Sequence, residues 1–126
     1  MVTQPKPAPV ILLVDDEEGI RNLLRVALQR EGYGVLEADN GSEAFALFDK
    51  YKREIALFPT DVVMPEIGGF ELARQVVTKR PEVPIAFISA FCGTIPNDLN
   101  RYHYIPKPFL SDEIIGRVAE IVPRPD

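Results

Sequence analysis

Five apolar segments alternate with helical patterns in this sequence, and chemically capable side chains follow four of them. Asp15 and Asp16 come directly after the first segment, Asp61 follows the third, Ser89 ends the fourth and Lys107 follows the fifth. Three carboxylates in a partly dry cleft repel one another, and a hard cation such as Mg²⁺ relieves that repulsion. A cation and Lys107 would also neutralise an incoming phosphoryl group. The chemistry predicted for such a cluster is attack on phosphorus by the Asp61 carboxylate.

Each of these residues also has an ordinary structural interpretation. An acidic pair at a helix start compensates the helix dipole, and an aspartate before a turn can cap it. A serine after a strand often bonds the backbone, and a lysine between prolines is usually solvated. The functional interpretation is favoured because all four elements occur in order at matching strand ends, where the crevice of a parallel sheet lies.

The apolar pattern predicts an α/β fold: a doubly wound, five-stranded parallel sheet with helices on both faces. Helical spacing of apolar residues predicts helices after the first three strands and a closing helix over 111–122. Gly93 and Pro96 shorten the helix between the fourth and fifth strands. Ser42 and Ser111 are the predicted N-caps. A continuous apolar run predicts a buried strand at 10–14. Further strands are predicted at 33–38, from 55 to at least 58, at 84–90 and, as a brief strand, at 104–105.

Length and composition favour one globular domain. The chain has 126 residues, of which 46% are hydrophobic and 26% charged. We expect an extended or disordered segment at 1–9, a folded domain at 10–122 and a tail at 123–126. The net charge of -5 argues against direct nucleic-acid binding, and no apolar run is long enough to predict a membrane span. A single cysteine, Cys92, and no secretory leader pattern predict a cytoplasmic protein.

Four ordered motifs of the sequence resemble the receiver domain of two-component response regulators. The resemblance covers roughly residues 10–122 and implies a flavodoxin-like sheet. It also implies a phospho-accepting signalling module that catalyses only its own phosphoryl transfer and slow dephosphorylation. The motifs are Leu12-Leu13-Val14-Asp15-Asp16-Glu17, Thr60-Asp61-Val62-Val63-Met64-Pro65 with Gly68-Gly69, Ile88-Ser89-Ala90, and Tyr104-Ile105-Pro106-Lys107-Pro108-Phe109.

The resemblance implies a role for each acidic residue. Asp61 takes a phosphoryl group from the phosphohistidine of a sensor histidine kinase or phosphotransfer protein. Asp16 binds Mg²⁺ directly and Asp15 binds it mainly through water. The backbone carbonyl of Val63 is a further metal ligand beside Asp61.

The same resemblance implies a switch. Lys107 pairs with the phosphoryl oxygens and precedes a cis bond to Pro108. Ser89 moves to bond the phosphoryl group, and Tyr104 turns inward behind it. This change would alter the surface offered to an effector domain or protein, and it could form a phosphorylation-dependent dimer. Tyr104 also has a simpler interpretation as a half-buried core residue.

The sequence departs from the family pattern at Pro59, two residues before Asp61. A proline lacks the ladder N–H and belongs poorly in a central strand, so we expect the strand to end early or to bulge there. We expect this change to perturb the segment that carries Asp61. The short stretch between Ser89 and Lys107 puts in doubt the dimer face that the family usually builds there.

Two side chains predicted to flank the phosphoryl group suggest its lifetime. Neither Val63 nor Phe91 can orient an attacking water by hydrogen bonding, which predicts a long-lived phospho-Asp61. His103, the only histidine, fits no donor or metal motif and is expected at the surface, and Cys92 is expected to pack rather than react.

Two other functions remain open from the sequence. Pro59 favours a pseudo-receiver, an interaction module that keeps the fold without using phosphate. A hydrolase with an aspartyl-phosphate intermediate would need a second acid near Asp61 to protonate the leaving group. Val63 does not supply one.

Overall fold

The computed structural model describes residues 8–91 and 93–125, so positions 1–7 of the predicted lead-in and Cys92 lie outside the described residues. Strands and helices alternate along the described chain, as the apolar pattern predicts. The elements are β1 (Val10–Val14), α1 (Glu18–Arg30), β2 (Gly34–Ala38), α2 (Gly41–Tyr51), β3 (Ile55–Thr60), α3 (Gly69–Lys79), β4 (Ile85–Ser89), a 3₁₀ turn (Asn97–Leu99), β5 (His103–Pro106) and α4 (Ser111–Ile121).

The five strands form one parallel sheet in the order β2-β1-β3-β4-β5, which confirms the predicted fold class. Side chains alternate between the two faces of a strand, and β1 is apolar on both. Leu12 and Val14 lie in the core that includes α2 and α3. Ile11 and Leu13 lie in the core that includes α1 and α4. The sheet is therefore doubly wound, and its crevice lies at the carboxyl ends of β1 and β3.

Pro59 neither ends its strand nor lies at a bulge, which corrects both expectations for this residue. It pairs with Ala86, and β3 continues to Thr60. The register shift between β1 and β3 lies at the start of β3, at the end opposite Asp61. Asp61 N donates to Val14 O at 3.0 Å, so alternation along the strand turns the nitrogen of Pro59 towards β1 as well. The sheet accommodates the proline by losing one ladder bond on that side.

The helix between β4 and β5 is reduced to the 3₁₀ turn, which confirms the predicted shortening. Leu99 anchors the turn in the core with 2% of its surface exposed. Arg74 of α3 holds its outer side, donating to both carboxylate oxygens of Asp98 at 2.8 and 3.2 Å.

The two predicted serine caps are wrong. The N-cap of α2 is Asn40, whose side-chain oxygen accepts from Glu43 N at 2.9 Å, so the helix begins before Ser42. At α4 the N-cap position is Leu110, whose N–H donates to the Glu113 carboxylate at 3.2 Å. Ser111 is the first helical residue. In both helices another side chain near the predicted serine makes the hydrogen bond at the helix start: Asn40 in α2 and Glu113 in α4.

Among the described residues, no helix has the length and apolar character that crossing a membrane requires.

Candidate functional site

Three carboxylates meet at the carboxyl ends of β1 and β3. Asp15 follows β1 with 2% of its surface exposed, and Asp61 follows β3 with 6% exposed, whereas Asp16 is exposed. One carboxylate oxygen from each lies within 4.8 Å of the others. The two strands are neighbours in the sheet, so residues 46 positions apart along the chain share one cleft.

Lys107 follows β5 and reaches across the sheet edge to these acids. Its Nζ lies 2.8 Å from Asp15 Oδ2, 3.1 Å from Asp61 Oδ2 and 3.3 Å from Glu17 Oε1. The three N–H groups of the ammonium thus face three carboxylates. Burial opposes the charge of Lys107, but the hydrogen bonds to Asp15 and Asp61 outweigh it and raise the pKa of the lysine. The ammonium is therefore charged throughout the neutral range.

Burial has the opposite consequence for Asp15. Removal from water raises the pKa of this carboxyl, and the nearby Asp61 charge adds to that rise. The hydrogen bonds from Lys107 and from the Glu17 N–H, at 2.9 Å, work against it. The site therefore concentrates negative charge that Lys107 offsets only in part, which is an environment that attracts a cation.

The loop that carries Asp61 is held by a close approach of two backbones. Gly69 N donates to Val62 O at 2.8 Å. A Cβ atom on Gly69 would lie 2.0 Å from Asp61 O, so only glycine fits at this position. Thr60 Oγ1 donates to the same Asp61 carbonyl at 2.9 Å. These contacts fix the main chain from which the Asp61 carboxylate projects.

A cleft of about 340 Å³ opens over Asp61. It is lined by residues that the sequence predicts for the site and by further residues beside them. Val63, with 66% of its surface exposed, and Phe91 form apolar parts of its wall, and Val63 N lies 3.4 Å from Asp61 Oδ1. The full lining of the cleft is Asp16, Glu17, Asp61, Val63, Ser89, Ala90, Phe91 and Lys107.

Ser89 and Tyr104 are connected through the backbone beside this cleft. Ser89 is buried, and its Oγ accepts from Phe91 N at 3.1 Å. The half-buried Tyr104 donates its hydroxyl hydrogen towards the carbonyls of Ser89, at 3.1 Å, and Phe91. Tyr104 of β5 is thus hydrogen-bonded to the end of β4 and to the loop that follows it, and His103 beside Tyr104 is exposed.

The donor set at this edge fits a divalent cation. Three carboxylates that offer oxygens within 4.8 Å of one another are hard ligands of the kind Mg²⁺ takes, and the exposed Asp16 leaves room for water ligands. The structure also adds residues that the sequence did not single out for the site. Glu17 contacts Lys107, Arg21 contacts Asp15, and Gly69 contacts Asp61. Glu17 and Gly69 had a signal, since each stands in one of the quoted motifs, whereas Arg21 had none.

Comparisons with known proteins place these features in context. A family model described as the response regulator receiver domain matches residues 11–119. The sensor kinase CckA of Brucella abortus (strain 2308) is 34% identical over 121 residues, which are 92% of this chain and 13% of that protein. The chain spans about half or less of the length of the curated relatives it matches, from 13% to 51%.

Solved structures agree with the family model. The chemotaxis protein CheY4 of Vibrio cholerae superposes with a TM-score of 0.81 and 26% identity over 92% of this chain and 100% of that one. The response regulator TrrA of Thermotoga maritima, solved in complex with Mg²⁺-BeF, gives a TM-score of 0.75 and 34% identity over 90% and 98% of the two chains.

Proposed function

The chain belongs to the response regulator receiver domain family, and from that premise we propose that Asp61 accepts a phosphoryl group from a histidine kinase or phosphotransfer protein. One observation carries the proposal: Lys107 Nζ lies within 3.3 Å of carboxylate oxygens from Asp15, Asp61 and Glu17. A half-buried lysine among acids, beside a cleft, suits transfer of an anionic group onto one of those acids.

The proposed reaction is an in-line displacement at phosphorus. An oxygen of the Asp61 carboxylate forms the new bond to phosphorus, and the bond from phosphorus to the donor breaks with its electron pair leaving on the donor. Lys107 already contacts Asp61 Oδ2 at 3.1 Å and can pass that hydrogen bond to a phosphoryl oxygen. Asp15, Asp16, Asp61 and the Val63 carbonyl are the proposed holders of Mg²⁺, which when bound offsets phosphoryl charge.

Ser89 and Tyr104 are the proposed readout of this event. The Ser89 Oγ accepts from Phe91 N, so its own O–H can be donated to a phosphoryl oxygen. Movement of Ser89 would disturb the two carbonyls that accept from the Tyr104 hydroxyl. A charge change at Asp61 is thereby coupled to the backbone of the loop before the 3₁₀ turn.

The partners follow from the same proposal. A kinase or phosphotransfer protein supplies the phosphoryl group, and an effector domain or protein reads the altered surface, with no turnover of a small-molecule substrate. The continuation of β3 through Pro59, with the acids and Lys107 assembled, favours this function over the phosphorylation-independent module. A phosphorylation-dependent dimer would use a face without a full helix between β4 and β5.

Incubation with acetyl phosphate tests the proposal directly. We expect the intact mass to increase by one phosphoryl group in the presence of Mg²⁺ and to stay unchanged in EDTA. Asp61→Asn is the matched control, because it keeps the size of the side chain and removes the nucleophilic charge. A mass gain that persists in Asp61→Asn would show that another residue is the acceptor.

A further inference from the structure

Arg21 reaches back from the first turn of α1 to the backbone of the acidic pair. Its Nη1 donates to Asp15 O at 2.7 Å, across six residues of sequence. The helix begins at Glu18, so the Asp15 carbonyl lies outside the helical hydrogen-bond ladder. No backbone N–H is bonded to Asp15 O among the described hydrogen bonds, so the Arg21 side chain supplies its donor.

The guanidinium of Arg21 also lies beside a carboxylate of β2. Glu37 Oε1 lies 3.7 Å from Arg21 Nε, and Glu37 Oε2 lies 3.0 Å from Arg25 Nε. The Arg21 side chain is only 16% exposed, compared with 33% for Arg25. Arg21 thus links three elements, and its neighbour Arg25 shares the same carboxylate with no hydrogen bond to Asp15 among those described.

The contact from Arg21 completes the hydrogen bonding of Asp15. Asp15 N donates to Ala38 O at 3.2 Å, while its two carboxylate oxygens accept from Glu17 N at 2.9 Å and Lys107 Nζ at 2.8 Å. The carbonyl bonded to Arg21 belongs to the peptide plane that joins Asp15 to Asp16. Fixing that oxygen fixes the plane, and with it the direction in which the exposed Asp16 leaves the backbone.

We propose that Arg21 is a positioning residue for the divalent-cation site, acting through the Asp15–Asp16 peptide. This inference rests on the proposed function, because it takes Mg²⁺ to bind at Asp15, Asp16 and Asp61. The proposed role of Arg21 is to strengthen Mg²⁺ binding, whereas its positive charge alone would weaken it. A cationic side chain beside a metal site repels the metal, whereas an ordered pair of carboxylates binds it more tightly.

These two effects have opposite signs, and this makes the proposal testable. Removal of a repelling charge would tighten Mg²⁺ binding. Removal of a support for the ligands would weaken it, and loss of a group that orients metal ligands typically costs about 10- to 100-fold in affinity. Arg25 is the matched control, because it has the same charge and the same Glu37 partner without the bond to Asp15.

The experiment measures the Mg²⁺ dissociation constant by isothermal titration calorimetry in Arg21→Gln, Arg21→Lys and Arg25→Gln. We expect Arg21→Gln to bind Mg²⁺ about tenfold more weakly than the unchanged protein. Arg25→Gln should bind equally or more tightly. Arg21→Lys keeps the charge and one donor, so it should recover part of the loss.

Urea unfolding without Mg²⁺ separates this role from general destabilisation. If Arg21→Gln does not fold, Arg21→Lys provides the second variant, since it keeps the charge but lacks the guanidinium that reaches Asp15 O, and it should still bind Mg²⁺ more weakly than the unchanged protein. Unchanged or tighter Mg²⁺ binding in a folded Arg21→Gln protein, or in Arg21→Lys where only that variant folds, would overturn the inference. Failure of the unchanged protein to bind Mg²⁺ would instead refute the proposed function.

Discussion

Replacing Gly69 by alanine would place a methyl group against the backbone that carries Asp61. An alanine Cβ would lie 2.0 Å from Asp61 O, 2.9 Å from Asp61 C and 2.9 Å from Val62 Cα. All three atoms are main chain, so no side-chain rotation relieves the contact. The first turn of α3 and the Asp61 loop must therefore move apart.

The size of that movement follows from the distances. Ordinary contacts of a Cβ atom begin near 3.4 Å, so the oxygen and the methyl group must separate by more than 1 Å. Strain of this kind in a packed interior costs about 1–3 kcal/mol of unfolding free energy. The movement also threatens the 2.8 Å bond from Gly69 N to Val62 O. Because a misplacement of about 1 Å can slow a positioned reaction ~100-fold, phosphorylation should fall more than stability alone predicts.

Urea unfolding and acetyl-phosphate labelling of Gly69→Ala measure the two effects. Gly116→Ala is the control, because nothing lies within 4 Å of the added Cβ and the residue is in the interior of α4. That change should stabilise the protein by about 0.5–1 kcal/mol and leave labelling unaltered. Unfolding free energy and labelling rate for Gly69→Ala equal to those of the unchanged protein would refute the reasoning.

Three further predictions concern the charge and shape of the site. Lys107→Met leaves the carboxylates without their cation and should lower the unfolding free energy by about 1–3 kcal/mol at pH 7 without Mg²⁺. Since the pKa of Lys107 is raised in the folded state, its contribution is complete below the ordinary value of 10.5 and declines as the pH rises from there through the raised value. The difference in unfolding free energy between the two proteins should therefore shrink over that range. Pro59→Leu restores an N–H facing β1 and should add about 0.5–1.5 kcal/mol or speed labelling; no gain in either would remove the idea that the proline perturbs the site. Val63 and Phe91 form apolar walls of the cleft, so the phosphoryl group on Asp61 should persist for longer than minutes. In Val63→Asn the amide can orient a water molecule, and phospho-Asp61 should hydrolyse about tenfold faster. Loss of the label from the unchanged protein within seconds would contradict this.

The sequence alone determined the fold and the gathering of the acids. An apolar run such as Val10–Val14 has both faces covered, which indicates a parallel sheet, and the carboxyl ends of parallel strands meet at one edge. Asp15 and Asp61 each follow such a run and Lys107 follows the short last strand, so their meeting could be predicted from position along the chain.

The tertiary structure decided the contacts that depend on how side chains cross between elements. Glu17 and Lys107 are 90 residues apart, and the link from Arg21 to Asp15 runs against the direction of the helix. No periodicity encodes such contacts, since each depends on one rotamer and one loop path. The place of Pro59 is similar. A propensity rule predicts an interrupted strand, but β3 lies between β1 and β4, and its remaining ladder bonds keep the residue in the sheet.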